Sequence, residues 1–332
     1  MEKFELHILG CGSALPTTRH FASSQVVNLR DKLYMIDCGE GAQMQLRRSR
    51  LKFSRLNHIF ISHLHGDHCF GLLGLVSTFG LLGRTADLHI YSPVGLEALF
   101  APVFSFFCKN LPFKVLFHEF QSKKPVCIFE DRSLTVTTIP LQHRMPSCGF
   151  LFEEKQGLNH IVREMVDFYK VPVYEINRIK NGSDYVTPEG EVIPNARLTL
   201  PAAPARKYAY CSDTIYLPHL AEQLKGVDLL YHEATFAQEN LARAKETFHT
   251  TASQAAQLAL DAGVKQLVIG HFSARYEDET VLLDEAQSVF PRTLLAKENL
   301  CINVSDGTAS FDHRPIRVED DSNRTENDNA LQ

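Results

Sequence analysis

The chain has 332 residues, of which 44% are hydrophobic and 22% charged, proportions that exclude collagen-like and wholly disordered classes. At about 150 residues per domain, this length allows two domains or one large domain carrying an insertion. Lysine and arginine number 34 against 39 acidic residues, so a net charge of −5 gives no global field for nucleic acid, and a polyanion must meet a local basic patch.

The opening MEKFELHILG lacks the layout of a signal peptide, and the apolar runs fall short of the ~20 residues that cross a bilayer. The expectation is a cytoplasmic protein with no membrane partner. Eight cysteines without C-x-x-C spacing read as reduced thiols, whereas fifteen histidines, several beside aspartates, mark where chemistry is concentrated.

In chain order, apolar alternation predicts strands over 4–9, 25–29 and 32–37, a helix over 39–50 and a strand over 58–63. A helical stretch over 70–83, a strand over 88–91, a helix over 96–108 and strands over 114–120, 134–140 and 148–154 follow. Charged helical segments and a Pro- and Gly-rich stretch over 155–206 read as an inserted arm. Strands then resume over 207–213, 227–234 and 265–272, with helices over 253–263 and 279–290. The acidic segment 312–332 offers little to bury and reads as a disordered tail, leaving 1–311 as one sheet-and-helix domain.

The densest signal is SHLHGDH, residues 62–68, directly after a predicted strand. In extended backbone His63 and His65 face one side, while Gly66 permits a turn that carries Asp67 and His68 toward a second point. One loop can thus serve two metal ions. Packed imidazoles and a carboxylate gain nothing in a core without a cation. Zinc suits these donors and leaves a position open for water; manganese or iron accept the same ligands. His143, Asp213 and His271 also follow predicted strands, and together they complete two coordination sets.

SHLHGDH has the H-x-H-x-D-H form of the metallo-β-lactamase superfamily. With SDT (212–214), HEATF (232–236), FHTT (248–251) and GHFSARY (270–276), the chain resembles the ribonuclease Z family of tRNA 3′-processing endonucleases from Phe4 to about residue 311. The resemblance implies an α/β (α+β) fold, a four-layer αβ/βα sandwich with an inserted arm. It implies two zinc ions, one at His63, His65, His143 and Asp213 and one at Asp67, His68, His271 and Asp213. Asp213 then bridges them, and a water or hydroxide between the ions is the nucleophile. Asp67 is implied as general base as well as ligand, and His249 as proton donor to the leaving 3′ oxygen, oriented by Glu233. His232 reads as a buried structural histidine, and Cys69 and Cys211 as packing residues.

The expected reaction removes 3′ extensions from precursor tRNA and leaves a 3′-hydroxyl; the alternative is another hydrolase of this fold acting on small phosphodiesters, sulfate esters or thioesters. For grip on RNA, RRSRLKFSR offers Arg47, Arg48, Arg50, Lys52 and Arg55 as a phosphate-contact strip. In the resembled family an arm clamps the tRNA elbow. Here residues 153–200 carry six Lys or Arg against eight Asp or Glu, a departure toward acidity. PTTRHFASS (16–24) is similar to the family's first conserved loop, with differences around Arg19 and His20. A homodimer is likewise implied.

Overall fold

The computed structural model describes residues 2–121 and 123–311, so the expected tail over 312–332 lies outside the described residues. FELHILG, SQVVNL and KLYMIDC form an antiparallel meander, β1 (Phe4–Gly10), β2 (Ser24–Leu29) and β3 (Lys32–Cys38). After α1 (Ala42–Arg48), the strands β4 (Leu56–Phe60), β5 (Leu88–Pro93) and β6 (Val115–Phe120) add in parallel. Their crossovers are α2 (Gly66–Cys69) with α3 (Leu72–Leu81), and α4 (Leu96–Phe107). Parallel neighbours need such crossovers. Leu46, Leu75, Phe79 and Phe100 of these helices bury their apolar sides against Met35, Ile59 and Ile90.

A second sheet starts with the antiparallel strands β7 (Cys127–Glu130), β8 (Leu134–Gln142) and β9 (Pro146–Glu154). The inserted segment follows as β10 (His160–Ile161), α5 (Arg163–Phe168), α6 (Ile176–Lys180), β11 (Tyr185–Val186), β12 (Val192–Ile193), α7 (Asn195–Leu198) and β13 (Thr199–Leu200). It has a small core of its own, formed by Val166, Val171, Ile179, Tyr185, Ile193 and Leu198.

The chain re-enters the second sheet as β14 (Lys207–Cys211), antiparallel to β9. Then come α8 (Leu220–Gln223), β15 (Leu229–Glu233), α9 (Leu241–Thr247), α10 (Ala252–Ala262), β16 (Gln266–Gly270), α11 (Thr280–Val289) and β17 (Thr293–Leu295). Helix α10 begins at a capping box, Thr251 with Gln254, and stops at Gly263, whose φ of 64° is the left-handed conformation that suits glycine. Its buried face is almost all alanine, which lets its backbone lie close to the sheet.

The last described strands, β18 (Leu300–Asn303) and β19 (Ala309–Phe311), return to the first sheet beside β1. The sheets run β19-β18-β1-β2-β3-β4-β5-β6 and β17-β16-β15-β14-β9-β8-β7. Between them Tyr34, Phe60, Phe150, Phe152 and Tyr208 are fully buried, with Phe60 and Phe152 rings 5.4 Å apart and edge-on. The four layers expected from the sequence are therefore present.

Two boundaries differ from expectation. Strand β4 stops at Phe60, so His63 and His65 sit on irregular backbone rather than within a strand. The expected helix over 70–83 is α3 (Leu72–Leu81), and the turn before it that presents Asp67 and His68 is itself a short helix, α2.

One ion-pair cluster fastens both stems of the insertion. Glu154, at the end of β9, bonds Arg206 Nε and Arg30 Nη2 at 2.8 Å each, and Arg206 Nη1 donates to the Glu2 carbonyl at 2.9 Å and Ser305 Oγ at 3.1 Å. Burial alone raises the Glu154 pKa, but the guanidinium groups of Arg206 and Arg30 outweigh it and hold the carboxyl below its ordinary 4.5. A depressed carboxylate pKa contributes stability that is present above the unfolded value and lost as pH falls through the folded one. Glu154→Gln should therefore lose about 3 kcal/mol at neutral pH in urea unfolding. The gap to the parent should narrow on acidification below about pH 4; an equal gap at neutral and acid pH would show that charge is not what acts there.

Candidate metal centre

The C-terminal ends of β4, β8, β14 and β16 open on the same edge of the sandwich, and each delivers site residues. The loop after β4 and the start of α2 bring His63, His65, Asp67 and His68; His143 follows β8, Asp213 follows β14 and His271 follows β16. The seven residues proposed from the sequence converge. Two groups form, His63, His65, His143 and Asp213 in one and Asp67, His68 and His271 in the other, with ligand atoms within 4.8 Å inside each group.

Asp213 stands between the groups. Its Oδ2 is 3.6 Å from His63 Nε2 and 3.8 Å from His143 Nε2, while its Oδ1 is 3.5 Å from His68 Nε2 and 3.2 Å from His271 Nε2. Asp67 Oδ2 lies 3.4 Å from His68 Nε2 and 3.5 Å from His271 Nε2. His63 Nε2 and His65 Nδ1 point at each other across 3.0 Å.

The outer ring nitrogens are tied to oxygens. His68 Nδ1 meets Asp37 Oδ2 at 2.7 Å, His143 Nδ1 the Phe248 carbonyl at 2.9 Å, His271 Nδ1 Thr235 Oγ1 at 2.9 Å and His63 Nδ1 Ser62 Oγ at 3.0 Å. With the proton on the outer nitrogen, the inner one presents a lone pair, which is the tautomer a metal ligand needs. Asp67 Oδ2, His68 Nε2, Asp213 Oδ1 and His271 Nε2 are all buried with no hydrogen-bond partner. Four such atoms aimed at one point cost several kcal/mol unless a cation joins them, so the donor set fits divalent metal ions. Burial works against ionising Asp67 and Asp213, but the facing imidazoles hold both carboxyls below the usual carboxylate range.

Glu233 and His249 stand beside the cluster. Glu233 is fully buried, its Oε1 is 3.0 Å from His249 Nδ1 and accepts the Thr250 amide at 2.9 Å. Burial opposes protonation of His249, yet the Glu233 carboxylate overrides it and the imidazole is pushed up to about 9. His232 is buried away from these groups with Nδ1 2.7 Å from the Glu233 carbonyl; Cys211 is in the core and Cys69 donates toward the His65 carbonyl at 3.3 Å.

A cleft of about 1150 Å³ opens over the cluster. Phe21, Phe70 and Phe236 wall it, and its cations are Arg144, Arg243 and Arg275. None of the five cations singled out in RRSRLKFSR lines it. Arg47 and Arg48 end α1, with Arg48 5.7 Å from the Phe21 ring, while Arg50, Lys52 and Arg55 line a separate cavity of about 480 Å³ with Glu5 and Asp31. The turn after α1 directs the cations of one sequence stretch to different faces.

Asp37, the penultimate residue of β3, carries no sequence signal of its own. It is fully buried at a left-handed φ of 54°, and it accepts from the Ser62 amide at 2.7 Å, Ser62 Oγ at 2.8 Å and Tyr210 Oη at 2.7 Å besides facing His68. Asp37→Asn should weaken metal binding by about 10–100-fold in a chelator competition, the usual effect of losing a carboxylate behind a ligand histidine; unchanged affinity would refute that role.

Residues 4–159 match a family described as Anti-Pycsar protein Apyc1, and residues 186–272 match one described as Beta-lactamase superfamily domain. A ribonuclease Z of Bacteroides thetaiotaomicron is 78% identical over 316 residues, covering 95% of this chain and all of the relative; one of Bacteroides fragilis is 77% identical over 304 residues, covering 92% and all of the relative. Among solved structures, the short form of human tRNase Z superposes with a TM-score of 0.66 at 28% identity, covering 90% of this chain and 99% of that one. On these likenesses the chain has the metallo-β-lactamase fold and belongs to the ribonuclease Z family.

Proposed function

We propose that this metal-dependent endoribonuclease uses zinc to cleave 3′ extensions from precursor tRNA and leaves a 3′-hydroxyl on the tRNA. The observation that carries the reading is the Asp213 carboxylate divided between two imidazole groups on the floor of a cleft, with the Glu233–His249 pair at its edge. His63, His65, His143 and Asp213 would hold one ion and Asp67, His68, His271 and Asp213 the other. Bound there, a divalent pair supplies Lewis acidity, an activated water and neutralisation of phosphoryl charge.

The chain's own groups do the rest. Asp67, with its unpartnered Oδ2 facing the cluster, accepts the proton of the attacking water. His249, held as an imidazolium by Glu233, donates to the 3′ oxygen as its bond to phosphorus breaks. Arg144, Arg243 and Arg275 line the cleft where a nucleic-acid backbone would pass. The insertion over 155–206 is assigned to the body of the tRNA, its near-balanced seven Lys or Arg against six Asp or Glu leaving grip to individual cations. The exposed Leu81, Val94, Leu99, Phe106 and Phe107 on and beside α3 and α4 support a homodimer, which light scattering reads as twice 37.5 kDa. Among the described residues no helix is long and apolar enough to cross a membrane, and the reading places the enzyme in the cytoplasm with its RNA.

Incubated with 3′-extended precursor tRNA beside a chromogenic phosphodiester, the protein should cut the RNA at one junction after the mature body; hydrolysis of the small ester alone would overturn the reading. His65→Ala should abolish turnover and leave RNA binding measurable. His249→Ala should slow the single-turnover step by about 10²–10⁴-fold with its metal content intact; metal loss in that variant would make His249 structural instead.

A further inference from the structure

The loop after β1 is fastened to the C-terminal part of the chain by three side chains of unlike chemistry. Cys11 is fully buried, His20 lies at the far end of the same loop and Glu298 precedes β18. Cys11 Sγ is 3.4 Å from His20 Nδ1 and 3.6 Å from Glu298 Oε1, and His20 Nδ1 is 3.3 Å from that same oxygen. Ligand atoms on a tetrahedral ion with bonds of about 2.0–2.3 Å stand about 3.3–3.7 Å apart, so this triangle has the dimensions of three coordination positions.

The other side of the imidazole carries an independent sign. His20 Nε2 is 3.1 Å from Glu279 Oε1. With the proton on Nε2 and donated to Glu279, Nδ1 turns its lone pair toward the thiol and the Glu298 carboxylate. A carboxylate behind the outer nitrogen is the arrangement that orients a metal-ligating histidine.

The geometry points to a structural site for a zinc-type divalent ion at Cys11, His20 and Glu298, with Glu279 fixing the imidazole and the site distinct from the cleft cluster. Sulfur, nitrogen and one carboxylate select zinc over magnesium or calcium. Without a cation, burial and Glu298 keep the thiol protonated; coordination releases that proton. The Cys11 thiol also donates to the Ala296 carbonyl at 3.5 Å. The ion would tie segments 278 residues apart, a span over which a cross-link removes much loop entropy. It would also set one wall of the cleft, because the amide of Phe21 donates to Glu298 Oε1 at 2.9 Å while its ring lines the cleft.

Cobalt(II) loaded into the full chain reads this site apart from the cleft, whose candidate ligands are all His and Asp. The loaded protein should show a thiolate-to-cobalt charge-transfer band in the near ultraviolet. The band should persist in His65→Ala, disappear in Cys11→Ala with the loss of one metal equivalent per chain, and need about 10–100-fold more cobalt in Glu279→Gln. If Cys11→Ala does not fold, Glu298→Gln, which keeps an oxygen for the Phe21 amide, should weaken the same band at least tenfold. No band, or one unchanged in Cys11→Ala and therefore owed to another thiol such as Cys301 beside His7, overturns the site and leaves His20 as an imidazolium held between two carboxylates.

Discussion

A carboxylate that is nearly inaccessible to water and faces imidazoles on both sides sets the terms for the rest of the molecule. Asp213 lies within 4 Å of nitrogens from His63, His68, His143 and His271, and those four histidines come from both sheets. Taking such a set out of water is costly unless every group finds a partner. The protein satisfies the outer nitrogens with Asp37, Ser62, Thr235 and the Phe248 carbonyl and leaves the inner ones converging. Preorganisation of that kind needs rigid supports, which explains why the ligands follow strands of a sandwich whose middle is packed with Tyr34, Phe60, Phe150, Phe152 and Tyr208.

The same logic divides labour around the cleft. Charges that must stay fixed are buried: Glu233 is inaccessible and receives hydrogen bonds from Thr214, Thr235 and Thr250 as well as facing His249. Arg144, Arg243 and Arg275 line the opening, where they retain solvent. Phe21 and the exposed Phe70 give the walls flat apolar surface on which a base can stack. On the proposed function, a long anionic polymer would meet cations beside the metal cluster, although the chain as a whole is acidic.

Much of this was legible in the sequence because metal ligation imposes residue types at fixed spacing. SHLHGDH gave four ligand candidates, and His143, Asp213 and His271 stood out through their position after apolar strands. Asp37 was harder to see, since a single aspartate after KLYMI carries no spacing signal; only the fold places it under His68. The Phe248 carbonyl is invisible in principle, being backbone. The RRSRLKFSR strip is legible as a run of cations but not as one face, because sequence proximity does not determine facing once the chain turns after α1. Strands β18 and β19 are only four and three residues long, too short for a period to register, and their pairing with β1 is decided by contacts across the whole chain.

If the cluster is catalytic, cations must occupy both sides of the shared carboxylate. Anomalous diffraction at the zinc edge from crystals of the zinc-loaded protein tests this most directly. Two peaks should flank Asp213, one among His63, His65 and His143 and one among Asp67, His68 and His271. No density beside Asp213, with the imidazoles bonded to one another or to water instead, would contradict that occupancy.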